Sequence, residues 1–462
     1  MSVTTIGPSG DEVLRTLHPE CPDWERLGPT RGDAALRAAA EAQRVAEEAR
    51  DEAWAGGFNR RTFLKGGLGV GVAALGSQLV TSRVSYAAAD EASTGTLVVV
   101  FLRGGLDGLS LLVPAADPKL VEERPHIAVR AGSLLELDAA RGFGLHPAMK
   151  PLESLIKAGR VAAVPAVSTP DLSRSHFQAQ DCLERGSSGS LTSGWLDRVL
   201  ESSGPGTTFR SVAMGGNTPR SLMGTAAKPI AMHDLGSVKL NVADADAKRT
   251  TDALRSLYTG VHHPIATQTR LAIGALGTVG RIRKAQPATA PVEYPGGNFA
   301  DALKNLAMLI KGGAGVRVAC IDVGGWDTHT GMGTAESGDM QRHLGDLAEA
   351  LAAFTADLGD ALLDRTTVVT MSEFGRRVEE NASGGTDHGH GGAVLVLGGG
   401  VRGGVHGAWH GLEHRTTLGD VPGWNDYRDV LTEVVSKRVG LSAGAMRTVF
   451  PRWRPSAVGL MA

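Results

Sequence analysis

The sequence predicts an α/β protein built on a doubly wound, mostly parallel central sheet with helices on both faces. Three observations carry this. Continuous β-branched runs recur along the chain, and segments with apolar residues spaced near 3.6 separate them. The polar, glycine-rich motifs stand next to these runs. Strands covered on both faces read as unbroken apolar runs, and alternation with helices over this length is the pattern of a parallel sheet.

In order, the first run begins at Thr96 with LVVVFL and enters the glycine loop RGGLDGLS. Pro147–Lys157 has helical spacing. RVAAVPAV (160–167) reads as a strand, followed by a helix over His176–Arg185. The segment Pro205–Tyr294 lacks a strand rhythm and reads as an insertion or cap, with helical spacing over Arg270–Lys284. Asn298–Lys311 reads as a helix, GVRVACIDV (315–323) as a strand running into GGWDTH, and Met340–Leu363 as a long helix. RTTVVTMSEF (365–374) and AVLVLGGG (393–400) read as strands on either side of a polar loop, and Asp426–Val439 as a helix.

The N-terminal part reads differently. NRRTFLK (59–65), a mildly apolar run over Gly66–Val80 and three alanines at 87–89 follow the order of a signal peptide. The paired arginines resemble the twin-arginine export motif, with Asn59 in place of the usual Ser or Thr. This divides the chain into a polar extension at 1–58, a signal at 59–89 and one domain at 90–462. The expected destination is the periplasm, cell surface or medium, and the expected partner is the twin-arginine translocation machinery. The apolar run is too short and glycine-rich for a stable membrane span. Cys21 would leave with the signal. Cys182 and Cys320 read as buried thiols, with one disulfide as the alternative.

The net charge of −2 and the absence of a basic stripe interleaved with aromatics give no ground for nucleic-acid binding. Histidine is informative instead. Half of the chain's 14 histidines fall between His329 and His414. GTDHGHGG (385–392) holds Asp387, His388 and His390 among glycines, and GGWDTH (324–329) adds Asp327 and His329. Carboxylate and imidazole alternating on a glycine backbone suit a divalent metal. Asp107, Asp327, His329, Glu373, Asp387, His388 and His390 all follow or flank predicted strands, and the strand ends of an open α/β sheet are where ligands bind.

LRGGLDGLS (102–110), SRSHFQAQD (173–181), GGWDTH and MSEFGR (371–376) with GTDHGHGG resemble the exported bacterial family called domain of unknown function 1501. That family is grouped by similarity with the alkaline phosphatase and sulfatase superfamily. The resemblance implies a sheet of that type holding one or two metals at its strand ends. Asp107 would be the early carboxylate ligand, Asp327 and His329 the ligands of one metal, and Asp387, His388 and His390 the late ligands. Ser175 or Ser173 would be the nucleophile at a helix start, with Arg174 beside it. Arg103 and Arg376 would neutralise the substrate's equatorial oxygens.

The sequence also departs from the superfamily. Glu373 and Phe374 stand where relatives carry an Asp–His pair, and no C-x-P-S-R string of a formylglycine sulfatase occurs. His176 reads as a satisfied core histidine, with ligand and base as alternatives, and His406, His410 and His414 as surface residues. The expected function is a metal-dependent hydrolase of a phosphate, sulfate or related small anionic ester. The alternative is a non-catalytic binding or assembly protein that keeps the fold and a structural metal. Imidazole ligands favour Zn or Mn, and oxygen ligands Ca or Mg.

Overall fold

A computed structural model describes residues 95–462 apart from 190, 261–263 and 286–291. The polar extension, the twin-arginine segment and Cys21 lie outside the described residues.

Among the described residues, nine strands form the central sheet: β1 (Thr96–Leu102), β2 (Val161–Ser168), β3 (Ser211–Met214), β4 (Ile230–Met232), β5 (Val318–Val323), β6 (Thr366–Met371), β7 (Gly392–Gly398), β8 (Gly404–Val405) and β9 (Asn425–Asp426). Their spatial order is β8-β2-β7-β6-β1-β5-β3-β4, with β9 also paired to β2. β1 is central and parallel to both neighbours, with Phe101 beside Met371 and Leu102 beside Val323. A separate three-stranded antiparallel sheet joins Leu112–Pro114, Leu135–Asp138 and Phe143–Leu145.

The apolar runs are explained by the two faces of the sheet. Val98, Val100 and Leu102 of β1 point into one core, against Leu303 and Leu306 of the helix Asn298–Lys311 and Leu344 and Leu351 of the helix Asp339–Leu363. Leu97, Val99 and Phe101 point into the other, against Val199 of the helix Trp195–Ser202 and Val430 and Val434 of the helix Tyr427–Arg438. With side chains alternating across the pleat and both faces covered, the run is apolar but for Thr96 at its start, whose hydroxyl donates to the Val316 carbonyl. Burying each such side chain contributes roughly 1.5–3 kcal/mol.

β7 runs antiparallel to both β2 and β6. This reversal makes the sheet mixed, and it positions the site. β1, β2, β5 and β6 deliver their carboxyl ends to one edge. β7 brings its amino end there, Gly392 beside Val167, so the loop 385–391 reaches the same edge as GGWDTH and MSEFGR. The segment 205–294 also differs from its reading. Its first part supplies the short strands β3 and β4, which extend the sheet beyond β5. Elements of three and four residues are too short to show a rhythm in sequence. Cys182 and Cys320 are both free and buried.

One buried group sets a pH dependence. His146 is fully buried, and its Nδ1 accepts the Ala148 N–H at 3.1 Å, capping the turn Pro147–Leu152. Burial pushes its pKa down from 6.5 to about 4. The folded state therefore holds the neutral ring. Its contribution to stability is complete above pH 6.5 and is lost as pH falls towards 4, about 3 kcal/mol in all. Denaturant titrations at pH 7 and pH 4 should show this loss in the wild type. It should be largely absent in His146→Asn, whose amide oxygen can still cap the turn.

Candidate metal centre

Three histidines and one aspartate converge at the strand ends. His388 Nε2 lies 3.1 Å from Asp327 Oδ1, His329 Nε2 lies 3.1 Å from the same oxygen, and His176 Nε2 lies 3.5 Å from Asp327 Oδ2. His329 Nε2 and His388 Nε2 are 2.9 Å apart. Donor atoms of His176, Asp327 and His388 all lie within 4.8 Å of one another. His329 meets this trio on its Asp327–His388 side. For ligands held at about 2.0–2.1 Å in a tetrahedron, donor atoms stand about 3.3 Å apart.

The outer nitrogens of the rings show which way the lone pairs point. His388 Nδ1 faces the Arg174 carbonyl at 3.0 Å, and His176 Nδ1 faces Glu373 Oε1 at 2.8 Å. Both partners only accept, so Nδ1 carries the proton in each ring and Nε2 offers a lone pair inward. His329 Nδ1 faces Asp387 Oδ1 at 3.5 Å in the same sense. Three inward nitrogens thus face one another and a carboxylate, an arrangement of acceptors that a cation between them would satisfy. Metal-binding histidines are oriented in this way by a carboxylate or carbonyl on the far nitrogen. Burial lowers the His388 pKa and so favours its neutral ring, while the Glu373 hydrogen bond raises that of His176. Burial opposes ionisation of Asp327, but the hydrogen bond and positive charge of Arg376 hold its carboxyl down at about 2.

The glycines matter here through close approach. Gly104 has φ 126°, and a Cβ on it would stand 2.5 Å from the Asp327 nitrogen. A Cβ on Gly389 would fall inside van der Waals contact of the Arg376 carbonyl carbon. The loops that carry the ligands can nest only without side chains at these points.

Several expectations are corrected by this geometry. Glu373 and Asp387 stand behind His176 and His329 and orient them, instead of pointing at the centre. Glu373 is fully buried, and its Oε1 also accepts from Gln180 Nε2 and the Gly104 N–H, each at 2.9 Å. Asp387 accepts from Asn381 Nδ2 at 3.2 Å. Asp107 is not at the centre. Its buried carboxylate caps the helix Gly108–Leu111 and pairs with buried Arg124 at 2.9 Å. His390 stands apart from the centre, its Nε2 beside Gly423, in the field of Asp420 and Arg174 and with burial lowering its pKa. Phe374 is buried as a wall, its ring centroid 4.6 Å from that of His388 and 5.0 Å from that of His176.

The arginines are corrected too. Arg376 is buried and donates to the carbonyls of Gly104, Gly105, Trp326 and Thr386 and to Asp327 Oδ1 at 2.5 Å, which leaves no fork for a substrate. Arg103 is spent on Glu184, Asp322 and Gln180. Through Gln180 it connects to Glu373 and so supports His176. Arg174 pairs with buried Asp420 at 2.5 Å.

His176 is the residue that sequence reasoning placed elsewhere. It is half-buried at the centre, at the start of the helix His176–Arg185. The available signal was its place in SRSHF, directly after a strand that ends at the ligand edge. Of the two serines, Ser173 Oγ donates to Asp171 Oδ1 at 2.5 Å and accepts from the Ser175 N–H. Ser175 is the helix N-cap residue, but its side chain makes no capping bond.

A family model described as "Protein of unknown function (DUF1501)" matches residues 154–421, more than half of the chain. The chain belongs to this family. The match includes SRSHF, GGWDTH, MSEFGR and GTDHGHGG, while LRGGLDGLS lies before it. No curated protein matches. Among solved structures, the chain is similar to a putative sulfatase from Bacteroides thetaiotaomicron, at 11% identity over 79% of this chain and 76% of that one, with TM-score 0.34. It is also similar to the C-terminal periplasmic domain of EcEptC from Escherichia coli in complex with Zn, at 11% identity over 81% and 92%, with TM-score 0.34. A third likeness is to the phosphonate monoester hydrolase of Agrobacterium radiobacter, at 11% identity over 79% of each chain, with TM-score 0.29.

Proposed function

We propose that this DUF1501 protein is a metal-dependent hydrolase of a phosphate, sulfate or related ester, exported by the twin-arginine machinery. The observation that carries the reading is the ring of inward lone pairs from His176, His329 and His388 around Asp327, each ring oriented from behind. The donor set of three imidazoles and one carboxylate fits Zn or Mn better than Ca or Mg. A divalent ion there would polarise the scissile group and lower the pKa of a hydroxyl beside it.

The chain's own residues supply the rest. Ser175, next to ligand His176, has the less encumbered hydroxyl and is the proposed nucleophile. Its oxygen would attack phosphorus or sulfur, with its proton passing to the departing alcohol oxygen. Water would then cleave the seryl ester and restore the hydroxyl. For export, the support is NRRTFLK and the run that follows it; among the described residues no helix is long and apolar enough to cross a membrane.

One observation favours the second reading, a binding or assembly protein with a structural metal: Arg103, Arg174 and Arg376 are all engaged in internal pairs. Metal analysis of the purified protein and a screen of chromogenic phosphate, phosphodiester and sulfate esters decide between the two. The hydrolase reading expects bound divalent metal, with turnover that falls at least about a thousandfold in Ser175→Ala and little in Ser173→Ala. Turnover that survives both substitutions removes the serine nucleophile. Bound metal with no turnover on any ester leaves the second reading, and no bound metal overturns the hydrolase.

A further inference from the structure

The rim of the centre says which esters suit it. Leu172 and Phe177 are 75% and 84% exposed, the two most exposed large apolar side chains among the described residues. They bracket Ser173–His176, the segment that carries the proposed nucleophile and a ligand. A third, Leu418 at 61%, lies on the neighbouring loop, where Asp420 pairs with Arg174 and ties the two loops together. An exposed leucine or phenylalanine alone is ordinary. Apolar side chains on both sides of a ligand-bearing turn form a surface that favours apolar company.

The carboxylates of Asp327, Glu373 and Asp387 stand with the guanidiniums of Arg376 and Arg377, the latter 3.8 Å from Asp387. Three negative and two positive groups leave one negative charge, which a divalent ion turns into one positive. Arg103 supplies no spare positive charge, since the two carboxylates of Glu184 and Asp322 outnumber its one guanidinium. The centre so balanced accommodates a neutral or singly charged head. A doubly charged phosphate monoester would lack the cations it needs.

We propose that the substrate is an amphipathic ester. Its neutral or singly charged head reaches the metal centre, and its apolar chain or ring lies on Leu172 and Phe177, with Leu418 at the margin. This rests on the hydrolase reading above, and the test separates the two.

Straight-chain alkanesulfonates, from methane- to octanesulfonate, serve as stable, singly charged stand-ins. Their binding to the Zn2+-loaded protein is measured by calorimetry. Affinity is expected to rise about two- to fourfold per methylene. The Leu172→Ser/Phe177→Ser double variant should flatten that slope, while its metal content and thermal midpoint stay unchanged because both side chains are exposed. Octyl phosphate in its doubly charged form should bind no tighter than octanesulfonate. A flat slope, a slope indifferent to the double substitution, or a tenfold preference for the dianion overturns the inference. So does sedimentation showing wild-type self-association that the double variant loses, which assigns the patch to a second copy. If Zn2+ does not bind, the hydrolase reading falls, and the chain-length slope of the unloaded protein, with and without Phe177, still decides the apolar rim.

Discussion

His388→Ala protein should fold and fail to hold metal. His388 Nε2 lies close to both His329 Nε2 and Asp327 Oδ1, so its removal takes out a donor that two others face. The ring is only half-buried, which limits the cost to stability. Metal affinity should fall by more than about a hundredfold, beyond the 10- to 100-fold range that losing an orienting partner brings. Glu373→Gln provides the comparison. It keeps a side chain of the same shape behind His176 but removes the carboxylate that fixes its Nδ1–H. Its affinity should fall within that smaller range while its metal stoichiometry is retained. Competition with a chromogenic chelator measures both. Equal losses in the two variants would show Glu373 to be a ligand itself, against the geometry found here.

Asp107→Ala should give the opposite pattern, a large loss of stability with the metal centre intact. Asp107 and Arg124 are both buried, and the Arg124 guanidinium also donates to the carbonyls of Val378 at 2.6 Å and Arg377 at 2.8 Å. Removing the carboxylate strands a buried guanidinium, which costs about 3–5 kcal/mol. It also removes the cap that accepts from the Ser110 N–H. Urea unfolding of wild type and variant measures the difference, and metal content per folded molecule should not change. A variant of native stability that had lost its metal would return Asp107 to the ligand set that sequence resemblance gave it.

These two expectations show how far the sequence could be read. The β-branched and apolar runs at 96–102, 161–168, 318–323, 366–371 and 392–398 were legible as buried strands because covering both faces of a sheet leaves room only for apolar side chains or for hydroxyls, such as those of Thr366, Thr367 and Thr370, that bond to the backbone. The reversal of β7 was not legible, since apolar periodicity is the same in either direction. One indirect sign existed. Residues 372–391 hold no helix, and a parallel connection of that length usually needs one.

Within the site, residue types at strand ends identified Asp327, His329 and His388 as chemistry-bearing residues gathered at one edge. Sequence could not say which nitrogen of an imidazole points inward or which carboxylate stands one layer back. Glu373 looked like a ligand because glutamate can be one, and it stands behind His176 because that ring, 197 positions away in sequence, fills the space before it. Arg376 likewise looked free, and four backbone carbonyls and Asp327 claim it.

By itself, then, the sequence determined the α/β class, the membership of DUF1501 and the edge at which histidine and aspartate would collect, because periodicity and residue type are local properties of the chain. Only the tertiary structure decided the roles. Whether a carboxylate meets a metal, an imidazole or a guanidinium depends on which partner from a distant segment lies within about 3 Å, and burial makes that partner's identity binding, since a charge without one cannot remain in the interior.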